Sequence, residues 1–277
     1  MKGYSLMKRT RLAVLGVGNM AKAIIEGILG VGIDVSKIIL YDVNKAQYSS
    51  LLPLSEKFEV ADSVADAVEK ADTVLLSVKP QNYSEILTDI KKSVGYRDKL
   101  YISIGAGIST GAIRGALDEV DVIRVLPNVP MLIGKGVSVI CRNADVDIAD
   151  FLFVKNIFES AGSVIEIEEG EMNRIIGVTS SSPAYVFKFI DAICKGAAAQ
   201  GLETEGLLDA VCDMVIGSAL MLKNSQDTPE ELISKVASKG GTTERALAML
   251  DEYRFSEGVR EAMKACTARA NELGSDK

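Results

Sequence analysis

Histidine is absent from all 277 residues, and no other compositional feature excludes as much chemistry. A His-based triad, a His proton relay and the usual His-ligated metal sites all fall away, so no metal site is expected. Catalysis must then rest on hydroxyls, carboxylates, lysine, backbone dipoles or a cofactor. Cysteine is scarce: Cys141, Cys194, Cys212 and Cys266 lie far apart with no C-x-x-C pair. Free thiols in a reducing cytoplasm fit this better than a disulfide framework or zinc. No apolar run approaches membrane-spanning length. The short basic start is not a secretory signal, and Met7 could serve as the start of the chain. The formal net charge is -7 and no broad basic patch interrupts it, which argues against a nucleic-acid surface. The expected partner is a small molecule or a second copy of the chain.

What is present centres on residues 11–27, RLAVLGVGNMAKAIIEG. A strand-length apolar run ends in Gly16-Val17-Gly18-Asn19-Met20-Ala21, and a helical pattern follows at Ala21, Ile24, Ile25 and Ile28. In this G-x-G-x-x-A spacing Gly16 permits a tight turn, Gly18 admits a pyrophosphate to the backbone, and Ala21 lets helix and strand pack closely. The helix N-terminus then offers free N–H groups to the phosphates. A dinucleotide site is the expectation.

Strand and helix alternate from there to about Glu168. Lys37 to Tyr41 predicts a strand closing on Asp42-Val43-Asn44. An acidic residue at this distance from the glycines suits the adenosine ribose, whereas Asn44 and Lys45 suit a 2'-phosphate. The same residues also read as a polar loop opening a helix. Thr73 to Val78 predicts a central strand whose end, Ser77-Val78-Lys79-Pro80, lies where ligands bind in open α/β sheets; Lys79 reads equally as a solvated loop charge. A glycine turn at Gly105-Ala106-Gly107 precedes a helix from Ser109 or Thr110. Leu126-Pro127-Asn128-Val129-Pro130 predicts a rigid turn, either facing a nicotinamide carboxamide or simply stopping a strand. The pattern implies one doubly wound parallel sheet with strands added at its edge.

Beyond Glu168 only helical patterns occur: Pro183 to Gln200, Glu205 to Leu222, a capping box at Thr228-Pro229-Glu230-Glu231, Thr243 to Tyr253, and Ser256 to Leu273 stopped by Gly274. Two domains follow, 1–168 and 169–277. Several of these helices are apolar round most of their circumference, which suggests burial against a second subunit. The break at residues 238–243, SKGGTT, frees the backbone with two glycines and sets the hydroxyls of Ser238, Thr242 and Thr243 about a helix N-terminus. It suits a carboxylate, although successive helix caps would look similar.

Six pieces in order, GVGNMA, SVKP, ISIGAGIS, RVLPNVPMLIGKGVS, SPAYVF and KGGTT, together resemble the pyrroline-5-carboxylate reductase family along nearly the full chain. The resemblance implies an N-terminal Rossmann-type domain and a C-terminal all-helical dimerisation domain interleaved with a partner's, often within a ring of dimers. It implies reduction of 1-pyrroline-5-carboxylate to L-proline, the last step of proline biosynthesis, by NADPH or NADH. Carried over by position, Gly16, Gly18, Asn19 and Met20 would hold the pyrophosphate and nearby ribose, and Asn44 would lie near the adenosine phosphate. Ser77, Val78, Lys79 and Pro80 would run along the nicotinamide side, with Asn128 and Pro130 near the carboxamide. Val236, Ser238, Gly240, Gly241, Thr242 and Thr243 would form the substrate-carboxylate site.

The chain departs from the family pattern at Ser180 and Ser182, where glycines are usual, and at Ile176, where a threonine is usual. Smaller departures are Ser63, Val129, Ala237 and Lys239. Without the threonine hydroxyl, Ser180, Ser181 or a bound water remains as proton donor. Ser238, Thr243 and Ser181 are the catalytic candidates. Reduction of another cyclic imine or a β-hydroxy acid, or a cofactor-binding regulator without catalysis, are the alternatives.

Overall fold

The computed structural model describes residues 10–202 and 204–275; the alternative start at Met7 lies outside them. Eight strands form one sheet: β1 (Arg11–Leu15), β2 (Lys37–Tyr41), β3 (Phe58–Val60), β4 (Thr73–Leu76), β5 (Leu100–Ser103), β6 (Asp121–Leu126), β7 (Gly136–Arg142) and β8 (Gly162–Glu166). Their order is β3-β2-β1-β4-β5-β6-β7-β8. The first six are parallel, β7 runs antiparallel to β6, and β8 runs parallel to β7. The doubly wound sheet with added edge strands is therefore present.

Successive side chains of a strand point to opposite faces, and here both faces are covered. Leu12 and Val14 of β1 join a core with Ile24, Ile25 and Ile28 of α1 (Asn19–Val31) and Phe151, Val154 and Phe158 of α6 (Ile148–Glu159). Ala13 and Leu15 join the opposite core, with Val64, Ala67 and Val68 of α3 (Val64–Glu69) and Tyr83, Ile86 and Ile90 of α4 (Tyr83–Ile90). Between these elements lie α2 (Ala46–Ser49) and α5 (Thr110–Ala116). Side-chain caps fix three helix starts, with Ser63, Ser109 and Asp147 accepting from the N–H groups of Asp66, Ala112 and Ala149. Ser63, one of the departures, is thus the cap of α3.

Packing divides the chain into two compact units, residues 1–181 with 265–277, and residues 182–264. The expected break after Glu168 marks where strands cease, but packing onto the sheet continues past it. The short α7 (Met172–Ile175) and a single π-helical turn, Ile176–Ser180, bring Met172 and Ile176 into a third core cluster with Leu126, Val139, Cys141 and Ala270. Met172 and Ile176 are apolar neighbours for the edge strands, and so belong with the first unit.

The second unit holds α8 (Ser182–Ala199), α9 (Leu207–Asn224), α10 (Pro229–Val236), α11 (Thr242–Glu252) and the start of α12 (Phe255–Ser275). The capping box of α10 is complete: Glu231 N–H donates to Thr228 Oγ1 and Thr228 N–H to Glu231 Oε2. Helix α12 does not stop at Gly274 as expected. It continues to Ser275, and Gly274 is needed for a different reason: a Cβ there would lie 2.6 Å from the carbonyl oxygen of Gly107.

Candidate active site

The carboxyl ends of β1 and β4 lie side by side where the strand order reverses, with Leu15 in register with both Tyr41 and Leu76. This is the switch point at which open α/β sheets bind ligands. Gly16 closes the turn with φ +91°; its N–H donates to Tyr41 O, and Ser77 N–H donates to Leu15 O, each at 2.9 Å. A Cβ on Gly16 would lie 2.7 Å from Ser77 O, whereas one on Gly18 would meet no protein atom within 4 Å. The fold itself therefore demands glycine at 16. At 18 the space lies in front of the N-terminus of α1, which has neither a side-chain cap nor an acidic residue in its first turn. Such a terminus presents several N–H groups without intrahelical partners, a cradle for an anion that a Cβ on Gly18 would partly fill. The turn fits a dinucleotide pyrophosphate.

A cavity of about 380 Å³ opens here, lined by Gly16, Gly18, Tyr41, Asp42, Val43, Gln47, Val64, Ser77, Val78, Lys79, Asn82, Glu85, Ile86 and Asp89. It brings together six expected positions: Gly16, Gly18, Asp42, Ser77, Val78 and Lys79. Asn19 and Met20 follow in the first turn of α1, and Pro80 opens the short 3-10 turn before α4. Asp42 is fixed by two backbone donors, Val17 N–H at 2.7 Å and Asn44 N–H at 2.8 Å. Asn44 does not line the cavity; its Oδ1 accepts from Ala46 N–H at the start of α2.

Asn128 also has a structural task. Buried at the end of β6, it donates through Nδ2 to Thr179 O at 3.0 Å, and its Oδ1 accepts from Val137 N–H at 2.8 Å. Its amide ties the proline turn, β7 and the π-helical turn together. Pro130 lies in the 3-10 turn Val129–Ile133 that follows.

Of the departures from the family pattern, Ile176 and Ser180 lie in that π turn. Ile176 is buried in the third core cluster, so an apolar side chain there fills space and leaves no hydroxyl. Ser180 Oγ is buried without a hydrogen-bond partner. Ser181 N–H donates to Ile176 O, and its Oγ lies 3.2 Å from Cys266 Sγ. Beneath this segment Arg124, only 2% exposed, donates to Glu169 and Asn173 at 2.9 and 2.7 Å. Burial, reinforced by the Glu169 carboxylate, pushes the Cys141 thiol up, so it is an inert core group. Sequence reasoning missed the buried Arg124, because an arginine among the apolar residues of β6 was the only signal.

In the second unit Gly240, at φ +73°, and Gly241 precede the first turn of α11. A Cβ on Gly241 would lie 2.7 Å from Ser238 Oγ and 2.9 Å from Ser238 O, which accepts the Gly241 N–H. The N-cap of α11 is Gly241, and no side-chain cap bond is made there. One donor is already taken: Gly240 N–H donates to Glu244 Oε2 at 2.7 Å. Val236, 66% exposed, ends α10 just before the break.

These features define a Rossmann-type dinucleotide-binding sheet followed by an all-helical unit. The model of the pyrroline-5-carboxylate reductase dimerisation domain matches residues 169–273, and that of the NADP oxidoreductase, coenzyme F420-dependent, matches residues 11–107. Among relatives, the pyrroline-5-carboxylate reductase of Vibrio alginolyticus is 34% identical over 96% of this chain and 98% of its own. That of Escherichia coli is 32% identical over 95% and 98%. In structure, the Plasmodium falciparum enzyme with NADP bound superposes with a TM-score of 0.86 at 28% identity, over 97% of this chain and 99% of that one. The chain belongs to the pyrroline-5-carboxylate reductase family.

Proposed function

We propose that this protein reduces 1-pyrroline-5-carboxylate to L-proline with NAD(P)H. What supports the reading is that relatives bearing that name align with nearly the whole chain, and that the two family models span the glycine turn and the SKGGTT break. The nicotinamide, when bound, supplies a hydride to the imine carbon. Gly16, Gly18, Asn19 and Met20 bind the pyrophosphate, and Ser77 to Pro80 with Pro130 flank the nicotinamide side. The open N–H groups of Thr242 and Thr243, with the hydroxyls of Ser238 and Thr243, hold the substrate carboxylate against the positive end of α11. The imine can enter protonated, so positioning carries most of the rate. A serine or bound water beside the π turn, Ser181 first, supplies any further proton; its hydroxyl already has the Cys266 thiol as a partner.

The protein assembles as a homodimer through its helical unit, because that unit exposes the apolar side chains a partner would cover; a ring of dimers is what the family resemblance alone implies. Four free thiols suit a reducing compartment, the cytoplasm. No helix among the described residues is long and apolar enough to cross a membrane.

A steady-state assay of proline formation from pyrroline-5-carboxylate with each cofactor tests the reading; no turnover with either would overturn it. In the same assay Ser238→Ala with Thr243→Ala should raise the substrate KM about tenfold or more while cofactor KM stays put. An unchanged substrate KM would remove the carboxylate clamp.

A further inference from the structure

We infer that this chain discriminates between the two nicotinamide cofactors in favour of NADH, and that Asp42 is the residue responsible. The inference rests on the reductase reading above, and on which residues of the Asp42–Lys45 segment reach the cavity. Asp42 and Val43 line it, whereas Asn44 and Lys45 do not. Asn44 and Lys45 are both exposed at the start of α2, where Asn44 Oδ1 accepts from Ala46 N–H.

The Asp42 carboxylate cannot swing away. Val17 N–H, inside the glycine turn, holds one oxygen and Asn44 N–H holds the other. Each oxygen keeps a lone pair with which to accept a ribose hydroxyl. A phosphate on that hydroxyl would bring like charge against a carboxylate that has no means of retreat.

The neighbouring charges do not offset it. Glu85 and Asp89 also line the cavity; Asp89 is paired with Lys92, and no ion pair among the described residues neutralises Asp42 or Glu85. Lys79 is the lining cation, at the far strand end, and Lys22 is engaged with Gln47 Oε1.

The test is direct titration of the purified full-length protein with NADH and with NADPH, read by nucleotide fluorescence, alongside competition by ADP and by 2',5'-ADP. NADH should bind about tenfold or more tighter than NADPH, and ADP should compete better than 2',5'-ADP, as like-charge contact at short range requires. Asp42→Asn, which keeps the shape and removes the charge, should narrow both ratios. Equal or tighter binding of NADPH by the unmodified protein overturns the inference while leaving the reductase reading intact. Failure of both nucleotides to bind overturns both. Should Asp42→Asn fail to fold, the ADP to 2',5'-ADP ratio of the unmodified protein still decides.

Discussion

The two compact units treat their apolar residues differently. In the sheet unit β1, β4, β5 and β6 are buried almost end to end, and helices cover both faces. In residues 182–264, by contrast, only Val211 is buried among the described residues. There Phe187, Met221 and Tyr253 are 60%, 61% and 79% exposed. A single chain can complete the first core by itself. The second has helices with more apolar surface than their own neighbours cover, which is the composition of a core shared between subunits. Cofactor affinity and substrate affinity should therefore respond differently to assembly, since the proposed dinucleotide cavity lies wholly in the first unit and the SKGGTT break wholly in the second.

The largest effect would come from charging the exposed helical surface. Leu220→Glu with Met221→Glu should weaken self-association about a hundredfold or more, as loss of buried anchors does. Sedimentation velocity would show protomers that still bind dinucleotide. Unchanged assembly would mean that this surface is not the interface.

A second contrast lies inside the sheet unit. Gly16→Ala forces a Cβ against the Ser77 carbonyl at positive φ and should cost about 2–3 kcal/mol of stability as well as cofactor binding. Gly18→Ala meets no protein atom, so it should weaken dinucleotide binding with the melting temperature nearly unmoved. Equal losses of stability in the two variants would break the distinction between a glycine the fold needs and one the ligand needs.

The sheet unit should also be the one that fails in alkali. Burial raises the Tyr83 phenol to about 12, although its bond to Ser103 pulls the other way, and burial raises Tyr101 as well. A raised pKa in the folded state favours the neutral form, so this stability is intact below the unfolded value near 10 and is lost as pH rises from there towards 12. For Tyr83 the loss reaches roughly 2–3 kcal/mol by pH 12. Tyr83→Phe should flatten that alkaline decline without abolishing it, because Tyr101 remains; chemical denaturation at a series of pH values would check this. The smallest effect belongs to the helical unit, where Thr228→Ala removes the complete capping box of α10 and should cost about 1 kcal/mol.

The fold was largely legible because its signals are local. Periodicity marked the strands and most helices, and Ser63, Ser109, Asp147 and Thr228 occupy helix starts through bonds to residues two or three positions away. The cofactor end of the site was legible for the same reason: the G-x-G-x-x-A turn carries its meaning in its spacing. What could not be read depends on distant partners. Gly105 and Gly107 looked like turn residues, yet a Cβ on Gly105 would strike the Tyr83 ring and one on Gly107 the carbonyl of Ala270. Asn128 read equally as part of a turn facing a carboxamide and as part of a strand stop, and only its bonds to Val137 and Thr179 reveal a tie between strand and π turn.

Sequence by itself determined the doubly wound sheet, the dinucleotide turn and the apolar excess of the helical unit, since each is written in residue type at short, regular spacing. Tertiary structure alone decided which residues of the Asp42–Lys45 segment reach the cavity, that Ile176 packs in a core cluster, and where the two units divide. Those outcomes follow from which surfaces meet across tens of residues of chain, and no local pattern carries that information.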